Sequence, residues 1–163
     1  MTPRASLWYF GCVLLGCRPD TGLEGLPIQV VTGPDQLVPP GVVARTAHYD
    51  MQVSAPAECE RSGPGGGAGT RRVGVLVTLQ ARGVLQVPAN PYYARLIDGQ
   101  NVAREATLTG CTPALASVLL EAPRVARGWI NFEVPYGAAD WLLAYAPALA
   151  TGERPEVTFR LAP

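Results

Sequence analysis

No lysine occurs in this chain; all 13 of its basic residues are arginine, and 13 acidic residues balance them to a formal net charge of zero. Without lysine there is no amine for a Schiff base and no P-loop lysine to reach a nucleotide phosphate. The missing basic excess removes the usual electrostatic argument for nucleic acid, and no acidic excess argues for a cationic partner. Histidine is scarce as well, since His48 is the only one. A nucleophilic triad would have to use it, yet Ser54, Ser62 and Ser117 all lie outside any G-x-S-x-G elbow. Cysteine is limited to Cys12, Cys17, Cys59 and Cys111, and the two outside the N-terminal stretch, Cys59 and Cys111, are too few beside one histidine for a four-ligand zinc site without carboxylates. The carboxylates of Glu58, Glu60, Asp98, Glu133 and Asp140 show no EF-hand spacing. These absences predict no catalysis, no metal and no cofactor. No apolar run approaches the about 20 residues that a membrane-spanning helix needs.

What is present begins at the N-terminus, MTPRASLWYFGCVLLGC. Arg4 followed by the apolar stretch Leu7 to Leu15 has the layout of a secretory signal peptide. The stretch ends Leu14-Leu15-Gly16-Cys17, which resembles the lipobox of bacterial lipoproteins. In that chemistry the Cys17 thiol takes a diacylglyceryl group and cleavage before it leaves the lipid on a new N-terminus. Two acyl chains hold far better than one, at about 0.8 kcal/mol per buried methylene. The expected organisation is a signal peptide over 1–16, a lipidated Cys17 with a proline-rich flexible tether over 17–40, and a folded domain over 41–163. Within the tether, Ile28 to Val31 is compatible with a docked edge strand.

Processing would discard Cys12 and use Cys17, leaving Cys59 and Cys111. An exported chain meets an oxidising compartment, so this pair reads as a disulfide. The long loop it closes implies about 4 kcal/mol in the chain-entropy picture.

From Gly41 onward the apolar residues alternate. Val43 to Val53 reads as one strand with His48 midway along its more polar face. Val73, Val75, Val77 and Leu79 mark the clearest core strand. Tyr92 to Ile97 and Val102 to Leu108 flank Asp98-Gly99, a hairpin signal. Ile130, Phe132 and Val134 share one face; Trp141, Leu143 and Tyr145 make another strand; Val157, Phe159 and Leu161 close the domain. Residues 112–121 fit a short helix or a strand equally. Seven or eight short strands with no long helix predict an all-β sandwich. The glycine-rich stretch over 63–72 brushes a dinucleotide fingerprint, but a strand follows it where a helix would be required, so it reads as a surface loop.

Two stretches carry a family resemblance. Tyr92-Tyr93-Ala94-Arg95-Leu96-Ile97-Asp98-Gly99 resembles the strand-and-turn motif of DUF4352 domains, and Arg127-Gly128-Trp129-Ile130-Asn131-Phe132-Glu133-Val134-Pro135 resembles their R-G-W-x-x-F-x-V-P strand. The resemblance spans most of 41–162. It implies an immunoglobulin-like β-sandwich, similar to telokin-like and secreted mycobacterial antigen domains, on a secreted protein or lipoprotein without assigned catalysis.

The expectation is a non-enzymatic, lipid-anchored protein of the bacterial cell envelope. Its partners would be the membrane, through the N-terminal lipid, and an envelope or extracellular protein, but no nucleic acid. Tyr136 at a strand end is the expected exposed contact. Arg124 and Arg127 would add a basic patch, joined by Arg71 and Arg72 if their loops meet. The alternative is a carrier of a small apolar ligand in a pocket between the sheets.

Overall fold

The computed structural model describes residues 22–59 and 69–161. The signal peptide, Cys17 and most of the glycine-rich loop therefore lie outside the described residues. Along the chain the strands are β1 (Ile28–Val30), β2 (Leu37–Val38), β3 (Val43–Arg45), β4 (Tyr49–Val53), β5 (Ala57–Glu58), β6 (Thr70–Ala81), β7 (Val87–Ala89), β8 (Ala94–Ile97), β9 (Ala103–Glu105), β10 (Val118–Leu120), β11 (Val125–Pro135), β12 (Trp141–Tyr145) and β13 (Val157–Leu161). One 3-10 turn, Pro91–Tyr93, precedes β8.

Two sheets form a sandwich. The first is ordered β1-β3-β4-β6-β11, with β5 pairing the start of β6; the second is ordered β2-β13-β12-β8-β9; β7 and β10 make a small ribbon of their own. The long antiparallel pair β6–β11 runs in unbroken register from Val125 opposite Gln80 to Pro135 opposite Thr70. Strand geometry sends alternate side chains to opposite faces, so Val73, Val75, Val77 and Leu79 point inward beside Ile130, Phe132 and Val134. All seven are buried in one core with Trp141, Leu143, Tyr145, Val157, Phe159 and Leu161 of the opposing sheet.

Two buried tyrosines fasten that core. Tyr49 Oη donates to the Pro155 carbonyl at 2.7 Å, and Tyr145 Oη donates to the Pro88 carbonyl at 3.2 Å while accepting from Asn90 N at 3.3 Å. Their rings meet edge to face, 6.3 Å between centroids, a favoured aromatic geometry. Burial pushes the ionisation of both phenols well above its usual range, and for Tyr145 the Asn90 amide opposes that shift.

Three expectations are corrected, and one left open is decided. The tether does not extend to residue 40: β1 pairs in parallel with β3, β2 pairs in parallel with β13, and Leu23, Val31 and Val38 are buried. The apolar residues between the prolines are spaced too irregularly to show alternation, and two short edge strands absorb them. The stretch 43–53 is a hairpin rather than one strand. Thr46 closes it, its hydroxyl accepting from His48 N and Tyr49 N at 3.2 and 3.0 Å, a local bond that competes with a continued ladder. His48 therefore lies in the turn. Arg45, the polar exception on its face, forks onto Asp50 across the hairpin at 3.0 and 2.8 Å. Residues 112–121 are extended: Ala114 bridges Trp129, and Val118–Leu120 forms β10. The described residues hold thirteen strands, more than the seven or eight expected, because several are only two or three residues long.

Candidate interaction surface

The outer face of the first sheet carries the polar features that the core excludes. By register its rows read Val30, Arg45, Asp50, Gln80, Val125, and then Gln52, Thr78, Arg127. Gly74 lies opposite Asn131 on the same face. Asp50, Thr78 and Asn131 are nonetheless buried, so something covers them.

One half of this face is covered covalently. Cys59 and Cys111 form a disulfide with their Cα atoms 4.9 Å apart. It rests on Gly74, where a Cβ would stand 2.9 Å from both sulfurs and from Asn131 Oδ1. Only glycine leaves that space. Asn131 holds the Cys111 backbone from both sides: Oδ1 accepts from Cys111 N at 2.9 Å and Nδ2 donates to Cys111 O at 3.1 Å. A buried amide pays its desolvation back only when so satisfied. The chain beside it continues the cover, with Thr107 N donating to Asn131 O at 2.7 Å and Leu115 N to Trp129 O at 2.8 Å.

The other half is covered by the N-terminal segment. Gly22 sits beside Arg127, its Cβ position 3.7 Å from Nη1. From there Leu23 to Leu26 line a cleft with Val43, Asp50 and Gln80 and lead into β1. The segment is thus a strap across the sheet, with Leu23 buried beneath it.

The residues expected to share one surface do not. Arg124 directly precedes β11, Arg127 is its third residue and Tyr136 follows its end. At about 3.3 Å per residue the nine steps from Arg127 to Tyr136 span about 30 Å. Tyr136 is 56% exposed beside the Asp98 turn, in a shallow site of about 430 Å³ with Arg104 and Asp140. There Asp98 caps its own hairpin. The amides of Val102 and Gln100 and the Arg104 guanidinium hold its carboxyl below the usual range. Arg71 and Arg72 pair in register with Val134 and Glu133, far from Arg124. Arg71 stacks over Trp141 at 5.5 Å and reaches Glu58 at 3.8 Å.

His48 contacts Glu153 at 3.2 Å. Ser54 lies past the other end of β4, donating to the Ala55 carbonyl at 2.7 Å, and Ser117 is exposed near β10. Among the described residues no group of three His, Cys, Asp or Glu side chains is placed to hold a metal ion. The space between the sheets is occupied by Tyr49, Tyr145, Phe132, Phe159 and Met51, all fully buried. A concavity of about 900 Å³ opens instead at one end of the sandwich, between His48, Arg82, Arg154 and Glu156.

Sequence reasoning singled out the two cysteines but missed Gly74, Asn131 and Leu23, which make the covered face work. A faint signal existed for Asn131, a polar residue amid the apolar β11.

The class these features define is the β-sandwich. No protein-family model matches the chain, and no curated protein matches it. Solved structures do. The yjhA protein of Bacillus subtilis superposes with a TM-score of 0.59 at 14% identity, over 77% of this chain and 99% of that one. The ycdA "putative lipoprotein" of Bacillus subtilis gives 0.54 at 11% identity, over 70% of this chain but 37% of that longer one. The secreted protein MPT63 of Mycobacterium tuberculosis gives 0.51 at 12%, over 69% and 82%. At such identities the likeness concerns the fold.

Proposed function

We propose that this chain is an exported lipoprotein of the bacterial cell envelope, carrying a DUF4352-like sandwich as a non-enzymatic module for protein contact or a structural role. The observation that carries the reading is the closed Cys59–Cys111 bridge. Such bridges persist in oxidising compartments and are rare in the cytosol, and the Leu14-Leu15-Gly16-Cys17 stretch supplies the matching export signal. The sandwich shared with the ycdA protein and with a secreted mycobacterial protein supports export. An envelope or extracellular protein partner would meet the exposed side chains of the edge strands, Val118 and Leu119 of β10 among them, or Tyr136.

The carrier alternative loses support from the filled interior, since an apolar ligand would have to displace the buried aromatic residues. The test is metabolic labelling in the native host with an alkyne fatty acid. The wild-type chain is expected to take up label and enter the membrane fraction, and Cys17→Ala is expected to do neither. Equal labelling or equal fractionation of the two would sink the proposal.

A further inference from the structure

Three buried side-chain nitrogens have no hydrogen-bond partner among the described residues: Trp141 Nε1, Arg71 Nε and Arg104 Nε. Buried polar groups are nearly always paired, and a buried indole N–H usually finds an acceptor. Arg104 at least reaches Asp98 through Nη2, at 3.3 Å. The other two stand together.

The fold brings them there from opposite sheets. Arg71, near the start of β6, pairs in register with core-facing Val134, so it points between the sheets at the end of the sandwich. Trp141, the first residue of β12, meets it from the other side, only 6% exposed, with the guanidinium 5.5 Å over its ring. Both line a pocket of about 260 Å³, walled by Pro56, Val73 and the Ala138–Ala139 turn. That volume is below the range of drug-sized sites, and it suits one residue of a larger partner.

An indole and a guanidinium can only donate, so what this pocket lacks is an acceptor. Glu58 does not supply it: its carboxylate is 3.8 Å from Arg71 Nη1, longer than a hydrogen bond, and is 62% exposed. Arg71 and Glu58 are the only charged side chains among the lining residues, and their charges cancel. A second anion would be repelled by Glu58, whereas a neutral oxygen meets two donors at no such cost.

We infer that this pocket binds one residue of a partner polypeptide. The backbone carbonyl oxygen of that residue accepts from Trp141 Nε1 and Arg71 Nε, and its small aliphatic side chain lies against Val73 and Ala139. Both nitrogens are shielded in the free protein, so the oxygen enters as the partly exposed Arg71 side chain slides across the ring, the kind of rotamer change common at interfaces. The inference rests on the protein-contact part of the proposed function and is independent of lipidation. A failure here leaves the lipid label on Cys17 standing, and an unlabelled Cys17 leaves the pocket standing.

The test is a titration of the full chain, purified from its native host, with N-acetylvaline amide, followed by heteronuclear NMR. The Trp141 indole N–H resonance is expected to move downfield and saturate, with the Ala139 amide following. Trp141→Phe keeps a ring and removes one donor; Arg71→Met removes the other. Each is expected to weaken binding by about fivefold, read at Ala139. Should Trp141→Phe fail to fold, the wild-type titration and Arg71→Met decide. Isobutyrate moving the indole resonance while N-acetylvaline amide leaves it in place would overturn the neutral acceptor. A resonance unmoved by either compound, or an affinity unchanged in the folded variants, would overturn the site itself.

Discussion

The two halves of the first sheet's outer face solve one problem in two ways. Each must cover polar or glycine backbone that a sandwich core does not reach. One half is closed by a disulfide seated on Gly74 and gripped by Asn131; the other is closed by a strap that buries a single leucine. The covalent half keeps its cover even when neighbouring contacts open, since the bridge restricts the unfolded chain as well. The strapped half depends on contacts that can fray separately from the rest. The difference predicts unequal responses to damage.

The largest effect should spare neither half. Tyr49 and Tyr145 underlie both, and burial raises their ionisation above that of an unfolded phenol, about 10. A raised value means that the stability they contribute is complete below about pH 10 and declines as pH rises further. Circular dichroism at rising alkaline pH should therefore show one cooperative unfolding of both halves; retention of fold well past that range would refute the burial argument.

Removal of the bridge comes next. The double variant Cys59→Ser, Cys111→Ser should lose about 4 kcal/mol in urea titrations, and hydrogen exchange should rise first over 107–115 while 22–27 holds. Gly74→Ala should cost up to about 3 kcal/mol by overpacking the sulfurs and Asn131. Leu23→Ala should cost about 2 kcal/mol and raise exchange in 22–27 alone. Tyr136→Ala, outside both covers, should change stability by less than about 0.5 kcal/mol. A Leu23→Ala variant that loosens 107–115 equally would erase the distinction between the halves.

The sandwich itself was legible because its long strands alternate so plainly: Val73 to Leu79, Ile130 to Val134 and Trp141 to Tyr145 all bury the faces their patterns mark. What stayed hidden has a physical cause. Strands of two or three residues, such as β1 and β2, are too short to show a period, so the segment before residue 41 read as tether. The β3–β4 turn was hidden because Thr46 and His48 fit a continuing alternation as well as a turn, and only the Thr46 hydroxyl bonds decide. The Cys59–Cys111 pairing could be counted from the cysteines, but the glycine and asparagine that seat it depend on register across β6–β11, which one sequence does not display. Arg124, Arg127 and Tyr136 were chosen for residue type, and their separation along an eleven-residue strand follows from that same register.

The proposed function makes this an exported chain, lipidated at Cys17 and closed by the Cys59–Cys111 bridge. The most direct measurement is the intact mass of the protein isolated from its native host, before and after reduction and alkylation. The expected result is the mass of the chain from Cys17 with a multi-acyl adduct, and two alkylations that appear only after reduction. A full-length, unmodified chain whose cysteines alkylate without reduction would contradict it.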